Sequence, residues 1–299
     1  LRKIFSNFTR MKKGYDSKSS IKLNNGKRIG LAMYGETKLF PVFYFHGWPG
    51  SRLELENLPI NKKKCNIIAL ERPGYGLSDT IPNFKILDWP KIVLEVADKL
   101  NLKKFSIIGV SGGAPFASAC GYSIKNERLK CIALVCGLAP HNAKGMDKGR
   151  VGFLMQLGKR PIVSWILLNF LRTRLLNSNP EKSFIKWKEK IPLSKSDRNL
   201  FNKNRGIKLI KNFRESVRNG ISGVYRDAKL YSSDWDFDLR NIKKTFFIWH
   251  GKSDYTVPSI TSYYYKKNLK NKKIFLKPYE GHFSICYNYI NEIIRQVSE

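Results

Sequence analysis

The chain has 299 residues, of which 42% are hydrophobic and 13% aromatic, so it can bury a large core and does not resemble a disordered protein. Its longest apolar run, residues 161–171, is shorter than the ~20 residues that span a membrane. Lys and Arg outnumber Asp and Glu by 55 to 23, which gives a formal net charge of +32. These basic residues are scattered and match no nucleic-acid-binding motif. We therefore expect no specific nucleic-acid partner and only weak, salt-sensitive binding to anionic surfaces.

Residues 1–20 are basic, carry a single acidic residue and lack the apolar core of a secretory signal, so we predict a disordered N-terminal arm. An organellar presequence is an alternative interpretation of this arm. The chain contains five cysteines, an odd number, and none of them has C-x-x-C spacing. Free thiols in a reducing compartment are the simpler interpretation, and we expect a cytoplasmic location.

The first predicted elements form a β-hairpin around Asn25-Gly26. Apolar residues alternate on both sides of this turn, at Ile21, Leu23, Ile29, Leu31 and Met33. Two short apolar runs follow, at 42–45 and 67–70, and each ends at a Gly/Pro turn. Between them, the spacing of Ser51 and Glu54 predicts a capping box that starts a short helix. Continuous apolar strands separated by helical stretches indicate an α/β fold, with a mostly parallel central sheet flanked by helices on both faces.

The α/β rhythm continues to Pro140 and resumes near residue 245. The later predicted elements are, in order, a helix from Asp88, a strand at 105–110, a helix after Ser111, strands at 131–136 and 245–249, a helix near 259–269, a strand at 274–276 and a closing helix. Together with the earlier elements, they predict an α/β core formed by residues 21–140 and 233–299.

Residues 141–232 break this rhythm. They contain amphipathic, basic helical stretches and no clear core strand, so we predict that they form an inserted helical lid. Within the lid, residues 153–176 are rich in Trp, Phe and Leu. Two compatible interpretations of this segment are packing between lid helices and a pocket for an apolar substrate.

The sequence Gly109-Val110-Ser111-Gly112-Gly113 lies between a predicted strand and a predicted helix. This is the G-x-S-x-G pattern of a nucleophile on a sharp strand-to-helix turn. The residues two before and two after such a serine approach each other, and glycine at both positions removes side chains that would clash. The amides at the start of the following helix would face the reacting centre. We therefore predict that Ser111 is a nucleophile.

A nucleophilic serine needs a base, and the base needs an acid that orients it. His282 directly follows the last predicted strand, where a sheet enzyme places its site. Asp254 follows the penultimate strand, although taken alone it fits a turn or a helix cap. The order Ser111, Asp254, His282, each just past a predicted strand, favours a catalytic triad. We interpret the other three histidines as structural, surface or hinge residues: His46, His141 and His250.

A tetrahedral oxyanion needs two convergent backbone N–H donors. The N–H of Gly112 follows the predicted nucleophile, and the bent turn at 46–50 is expected to supply the N–H of Trp48. The indole of Trp48 would then line the pocket. Histidine and carboxylate clusters with metal-ligand spacing are missing, so we expect neither a metal nor a cofactor.

Five segments in combination resemble the α/β-hydrolase fold superfamily of serine esterases, lipases and aminopeptidases. They are residues 46–51 (HGWPGS), 71–79 (ERPGYGLSD), 109–113 (GVSGG), 251–254 (GKSD) and 281–282 (GH). The resemblance implies Ser111 as nucleophile, Asp254 as acid and His282 as base. It also implies that the amides of Trp48 and Gly112 form the oxyanion hole. It gives the loop at 72–76 only a structural role and does not specify the substrate.

We therefore expect a cofactor-independent serine hydrolase that cleaves small or medium carboxylic esters with an apolar part through an acyl-enzyme. Peptide-bond hydrolysis, as in proline-specific aminopeptidases, and C–C bond hydrolysis by the same triad stay open. The resemblance to those aminopeptidases departs at Trp48 and Gly112, and three lid carboxylates are available to bind a substrate amine: Glu181, Glu189 and Glu215. Outside the enzymes, the alternative is a ligand-binding protein built on the same fold.

Overall fold

The computed structural model describes residues 19–299, and its core is a sheet of eight strands. The strands are β1 (Ser19–Lys22), β2 (Arg28–Gly35), β3 (Pro41–Phe45), β4 (Asn66–Leu70), β5 (Phe105–Val110), β6 (Leu129–Val135), β7 (Thr245–Gly251) and β8 (Lys272–Lys277). Their order in the sheet is β1-β2-β4-β3-β5-β6-β7-β8. β2 pairs antiparallel with β1 and β4, and all other neighbouring strands are parallel. The predicted mostly parallel sheet is confirmed.

The first two strands form the predicted hairpin. The turn closes with a hydrogen bond from the Leu23 amide to the Lys27 carbonyl oxygen, at 2.7 Å. Gly26 has a φ of 83°, a left-handed conformation that suits glycine. β1 begins at Ser19, two residues before the predicted start of the core. Residues 1–18, which make up most of the predicted basic arm, lie outside the described residues.

Ten helices lie within residues 19–299. They are α1 (Trp89–Lys99), α2 (Ala114–Ser123), α3 (Gly149–Lys159), α4 (Pro161–Asn177), α5 (Pro180–Lys190), α6 (Lys195–Leu200), α7 (Lys203–Ser216), α8 (Ser222–Tyr231), α9 (Thr261–Asn268) and α10 (Ser284–Ser298). Not one helix in this part of the chain combines the length and apolarity needed to cross a membrane.

Helices cover the sheet on both faces because its central strands are buried and mostly apolar along their whole length, and successive residues of a strand face opposite sides. On β5, Phe105 and Ile107 join the core cluster that includes α1 and α2. Ile108 and the terminal Val110 join a second cluster, which α10 completes from the other face. Apolar side chains on both faces of one strand are typical of a sheet buried between two helical layers. All five cysteines are buried and unpaired.

Six of the ten helices, α3 to α8, lie between β6 and β7, and we call residues 149–231 the helical insertion. Two small apolar clusters lie mainly within the insertion. One includes Leu157, Leu168 and Val224, and the other includes Phe184 and Phe201. Packing between helices therefore accounts for part of the apolar content of this segment.

The capping box predicted at Ser51 and Glu54 is wrong. A 3-10 helix does begin at Glu54, but its N-cap residue is Leu53 and no side chain caps it. The Glu54 carboxylate instead accepts hydrogen bonds from the Gly47 amide at 3.0 Å and the Tyr44 hydroxyl at 2.7 Å. The Ser51 hydroxyl donates to Asn212 of the helical insertion at 2.7 Å. Hydrogen bonds to Tyr44, Gly47 and Asn212 therefore take the place of the predicted capping bonds between Ser51 and Glu54.

Two glycines allow β3, β5 and α2 to approach closely. A Cβ atom at Gly113 would lie 2.3 Å from the carbonyl oxygen of Phe45. A Cβ atom at Gly109 would lie 2.7 Å from Cβ of Ala117 and 2.9 Å from the carbonyl oxygen of Gly113. This crowding agrees with the steric reason for glycine on either side of Ser111.

Replacing Gly113 by alanine should lower the free energy of unfolding by about 1–3 kcal/mol, because the new methyl group meets rigid backbone. Gly47→Ala is the matched control, since a Cβ there has its nearest neighbour at 3.5 Å. Chemical denaturation of both variants measures the difference. Equal stability of the two variants would contradict the packing argument.

Candidate active site

Ser111 lies on the sharp turn between β5 and α2. Its φ is 51°, a left-handed value that is rare outside glycine. A short 3-10 turn over Ser111–Gly113 leads directly into the helix. The serine is 7% exposed. The local backbone therefore has the strained strand-turn-helix form that the sequence predicts, with the serine at its apex.

Asp254 and His282 meet at the carboxyl ends of β7 and β8. The Nδ1 atom of His282 lies 2.8 Å from Oδ2 of Asp254. The other carboxylate oxygen of Asp254 accepts the amides of Thr256 at 2.8 Å and Val257 at 2.9 Å. Because a carboxylate only accepts, Nδ1 of His282 must carry the proton, which leaves Nε2 free to act as a base when the ring is neutral.

The two groups shift each other's pKa in opposite directions. Burial favours the neutral form of Asp254, but the His282 imidazole and a hydrogen bond from His250 outweigh burial and hold the pKa of Asp254 well below its usual range. Burial also opposes the charged form of His282, yet the Asp254 carboxylate raises the pKa of this histidine. The pair therefore stabilises an imidazolium at His282.

The remaining histidines have other partners. Nε2 of His250 lies 2.9 Å from the Val257 carbonyl oxygen and 3.4 Å from Asp254, so this ring braces the Asp254 loop. His46 is fully buried, its Nδ1 lies 2.8 Å from the Gly47 carbonyl oxygen, and burial lowers its pKa well below the usual value. His141 is partly exposed and faces Asp234 at 3.7 Å. These contacts agree with the structural and surface roles expected from the sequence.

Trp48 and Gly112, the predicted oxyanion donors, lie against each other. A Cβ atom at Gly112 would fall 2.9 Å from Cβ of Trp48 and 2.6 Å from the hydroxyl of Tyr231. A side chain at position 112 would therefore require Trp48 or Tyr231 to move. The Trp48 indole donates to the Val224 carbonyl oxygen at 2.9 Å, which ties the loop at 46–50 to α8 of the helical insertion.

Arg72 makes contacts beside the site that the sequence interpretation did not predict. Its buried guanidinium donates to the carbonyl oxygens of His46 at 2.7 Å and Gly47 at 3.1 Å. It also forms a 2.6 Å ion pair with Asp227 of α8, and both side chains are fully buried. These contacts agree with the structural role expected for the loop at 72–76. They specify that role, because Arg72 holds the backbone of the loop that carries Trp48.

Asp197 is the second missed residue, and it fixes the backbone of His282. Its carboxylate, on α6 of the helical insertion, accepts the amides of His282 at 2.9 Å, Phe283 at 3.0 Å and Ser284 at 2.8 Å. These amides begin α10, so Asp197 caps that helix from a different part of the chain. A capping residue 85 positions away has no local sequence signal.

Two cavities meet at Ser111. The larger measures about 450 Å³ and has a mostly apolar lining from α3 and α4, while the smaller measures about 100 Å³ and extends past His282 to Glu54. Both are lined by Trp48, Ser111 and Arg150. Among residues 19–299, nothing hydrogen-bonds or ion-pairs with the Arg150 guanidinium. The site thus offers a large apolar cavity, a smaller cavity with a less apolar lining, and a cation where the two join.

Within the described part of the chain, residues 19–299, one group of side chains could hold a metal ion: Cys136, Asp254 and His282. Each offers one ligand atom, and these atoms lie within 4.8 Å of one another. Burial, together with the neighbouring Cys286, raises the pKa of the Cys136 thiol well above its usual value. Because the thiolate is the metal ligand, this environment makes Cys136 a poor one.

The three lid carboxylates considered for an aminopeptidase do not line either cavity. Glu215 forms a 2.6 Å ion pair with Arg52, and Glu181 pairs with Lys203 at 2.8 Å. Glu189 lines a separate surface pocket. The carboxylate that does reach the smaller cavity is Glu54, which already accepts two hydrogen bonds.

Comparison with known proteins identifies the fold, through a family model and through solved structures. A family model for the alpha/beta hydrolase fold matches residues 41–289. An esterase from Exiguobacterium antarcticum is similar with a TM-score of 0.65 and 16% identity, covering 93% of this chain and 97% of that one. A thermophilic esterase from Thermogutta terrifontis gives a TM-score of 0.66 and 16% identity, covering 95% of this chain and all of that one. At these identities, the two structures show a shared fold.

One curated relative is similar in sequence. A serine hydrolase-like protein of Dictyostelium discoideum is 31% identical over 124 residues, which are 39% of this chain and 34% of that protein. The match therefore spans about a third of the length of that relative.

Removing the Asp197 carboxylate should destabilise the protein, because three amides at the start of α10 lose their acceptor. We expect Asp197→Ala to lower the free energy of unfolding by about 2 kcal/mol and Asp197→Asn to lower it less. The control is Asp234→Ala, at a side chain that is 83% exposed, where the change should stay within about 0.5 kcal/mol. Urea denaturation tests this, and equal losses at both positions would refute the capping role.

Proposed function

This chain belongs to the α/β-hydrolase fold family, and on that premise we propose that it is a serine hydrolase that cleaves carboxylic esters with an apolar part. The observation that carries the proposal is the 2.8 Å contact between His282 and Asp254 beside a cavity that Ser111 also lines. A base with an orienting acid, next to a serine on a strained turn, is the arrangement that acyl transfer requires.

The proposed reaction has two halves. Nε2 of His282 takes the proton from Ser111 as Oγ attacks the ester carbonyl, and Asp254 stabilises the imidazolium. The amides of Trp48 and Gly112 bind the oxyanion, and the tetrahedral state collapses as His282 protonates the departing alcohol. Water, deprotonated by His282, then attacks the acyl-enzyme and releases the acid through a second tetrahedral state. Each oxyanion donor would contribute about 2.7–4 kcal/mol to lowering the barrier.

The larger cavity supports an ester with an apolar part. Its volume of about 450 Å³ falls in the range of small-molecule sites, and Leu154, Leu168 and Val224 are among its lining residues. Since α3, α4 and α8 supply much of this lining, we propose that the helical insertion acts as a lid over Ser111. Arg150, where the two cavities join, would favour substrates with acceptor oxygens near the scissile bond.

Covalent labelling tests the nucleophile. We expect one fluorophosphonate adduct on the wild-type chain and none on Ser111→Ala, because the probe reacts with an activated serine hydroxyl. Hydrolysis of an aryl ester should disappear in the same variant. Intact-mass spectrometry and an ester assay measure the two effects.

The matched control is Ser253→Ala, beside Asp254, whose hydroxyl donates to the Pro278 carbonyl oxygen. This variant should keep both labelling and hydrolysis. An adduct on folded Ser111→Ala would overturn the assignment of the nucleophile. Tight binding of an apolar ester by the unlabelled wild type, without turnover, would favour the non-catalytic alternative.

The activity should rise with pH as His282 loses its proton, because only the neutral imidazole can act as a base. Asp254 raises the pKa of this ring above its usual 6.5, so the acid limb of kcat/KM should have its midpoint above pH 6.5. Asp254→Asn should lower kcat by about 10⁴-fold. It should also move the His282 pKa to a lower value, which NMR titration can follow. A wild-type midpoint below 6.5, or a His282 pKa that Asp254→Asn leaves in place, would refute this account.

A further inference from the structure

Helix α4 exposes an unusual amount of apolar side chain. Six of its large apolar residues are 47–76% exposed, and we call them the α4 apolar face: Ile162, Val163, Trp165, Ile166, Phe170 and Leu171. Phe153 of the neighbouring α3 is 60% exposed. A contiguous apolar surface of this kind marks a site of interaction, whereas single exposed residues do not.

The geometry of the helix places these side chains together. Ile162, Ile166 and Phe170 are four residues apart and so lie along one side of α4. The opposite side holds Ser164 and Leu168, which are buried against the rest of the helical insertion. A helix that is apolar on both sides needs a second apolar environment on its outer side.

The residues that flank this face along the chain carry charge of one sign. No acidic residue occurs between Asp147 and Glu181, whereas six basic residues do: Lys148, Arg150, Lys159, Arg160, Arg172 and Arg174. Lys159, Arg160 and Arg174 are exposed next to the apolar face, and the Arg174 guanidinium lies 5.5 Å from the centre of the Phe170 ring. Apolar side chains with a tryptophan, flanked by cations, are typical of helices that lie in the interface of an anionic membrane.

The inner side of the same helix lines the larger cavity. Leu167, Leu168 and Leu175 of α4 contribute to the apolar lining that reaches Ser111. Leu171 belongs to both the cavity lining and the exposed face. A single helix therefore separates the outer surface from the proposed ester-binding chamber.

We propose that the α4 apolar face and its flanking cations dock this protein onto an anionic phospholipid surface, from which apolar esters enter the cavity beneath α4. The docking stands independently of catalysis, while the delivery of esters rests on the proposed function. A second copy of this chain fits less well, because the exposed cations Lys159, Arg160 and Arg174 would face their own copies across a symmetric contact.

Vesicle co-sedimentation tests the docking without turnover if all chains carry Ser111→Ala. The probes are vesicles of phosphatidylcholine alone and of phosphatidylcholine mixed with phosphatidylserine. We expect binding to the anionic vesicles that weakens at high salt. The double variant Ile166→Ser/Phe170→Ser should bind at least about tenfold more weakly, because it removes inserted apolar area without changing charge.

Two matched controls separate the α4 apolar face from the general positive charge. Tyr122→Ser/Tyr263→Ser removes two exposed aromatic side chains elsewhere and should leave vesicle binding within about twofold. Lys159→Gln/Arg160→Gln should weaken binding more than Lys103→Gln/Lys104→Gln, which removes the same charge at a distant exposed site. Equal effects within either pair would show that scattered charge alone drives binding and would overturn the proposal.

Activity on a short, water-soluble aryl ester distinguishes the two proposals. When the chain keeps its natural Ser111, the double variant Ile166→Ser/Phe170→Ser should hydrolyse this ester at the wild-type rate, since neither side chain lines the cavities. Vesicle binding without ester hydrolysis would refute the proposed esterase activity and support the docking. Ester hydrolysis without vesicle binding would refute the docking and support the esterase activity. A dimer in sedimentation velocity that the double variant disrupts, with no vesicle binding, would assign the face to a second copy.

Discussion

The buried ion pair between Arg72 and Asp227 joins the α/β core to the helical insertion at the point where chemistry is proposed. Burial disfavours both charges, yet the neighbouring guanidinium groups of Arg226 and Arg72 hold the pKa of Asp227 below its usual value. The remaining donors of Arg72 bind the carbonyl oxygens of His46 and Gly47. Loss of either partner would strand a charge in the core and release the loop that carries Trp48, so this pair fixes the site.

His282 is likewise held by residues of both the α/β core and the helical insertion. A carboxylate of the core, Asp254, orients its ring, and a carboxylate of the insertion, Asp197, holds its backbone. On the other side of Ser111, the hydroxyl of Tyr231 donates to the carbonyl oxygen of Gly112 at 2.8 Å. Helices of the insertion therefore position the base and both proposed oxyanion donors, in addition to covering the cavity. A structural change in the insertion would therefore shift His282 and the backbone amides of Trp48 and Gly112.

Much of the fold and the main candidate residues could be predicted because their signals are local. Ser111, Asp254 and His282 each follow an apolar strand directly, and glycines mark the turn that Ser111 needs. The contacts of Arg72 and Asp197 could not be predicted, because their partners lie 155 and 85 residues away and no pattern in a single sequence connects such distant positions. Glu54 was misread for the same reason. Its sequence pattern fits a local helix cap, but its carboxylate accepts hydrogen bonds from Tyr44 and Gly47 instead.

A crystal structure of the protein after reaction with an alkyl phosphonate ester would test the central claim most directly. The account predicts phosphorus bonded to Oγ of Ser111 and the phosphonyl oxygen about 2.7–3.1 Å from the amide nitrogens of both Trp48 and Gly112. It also predicts the alkyl chain in the cavity beneath α4. A phosphonyl oxygen turned away from these amides, or an adduct on another residue, would contradict the account.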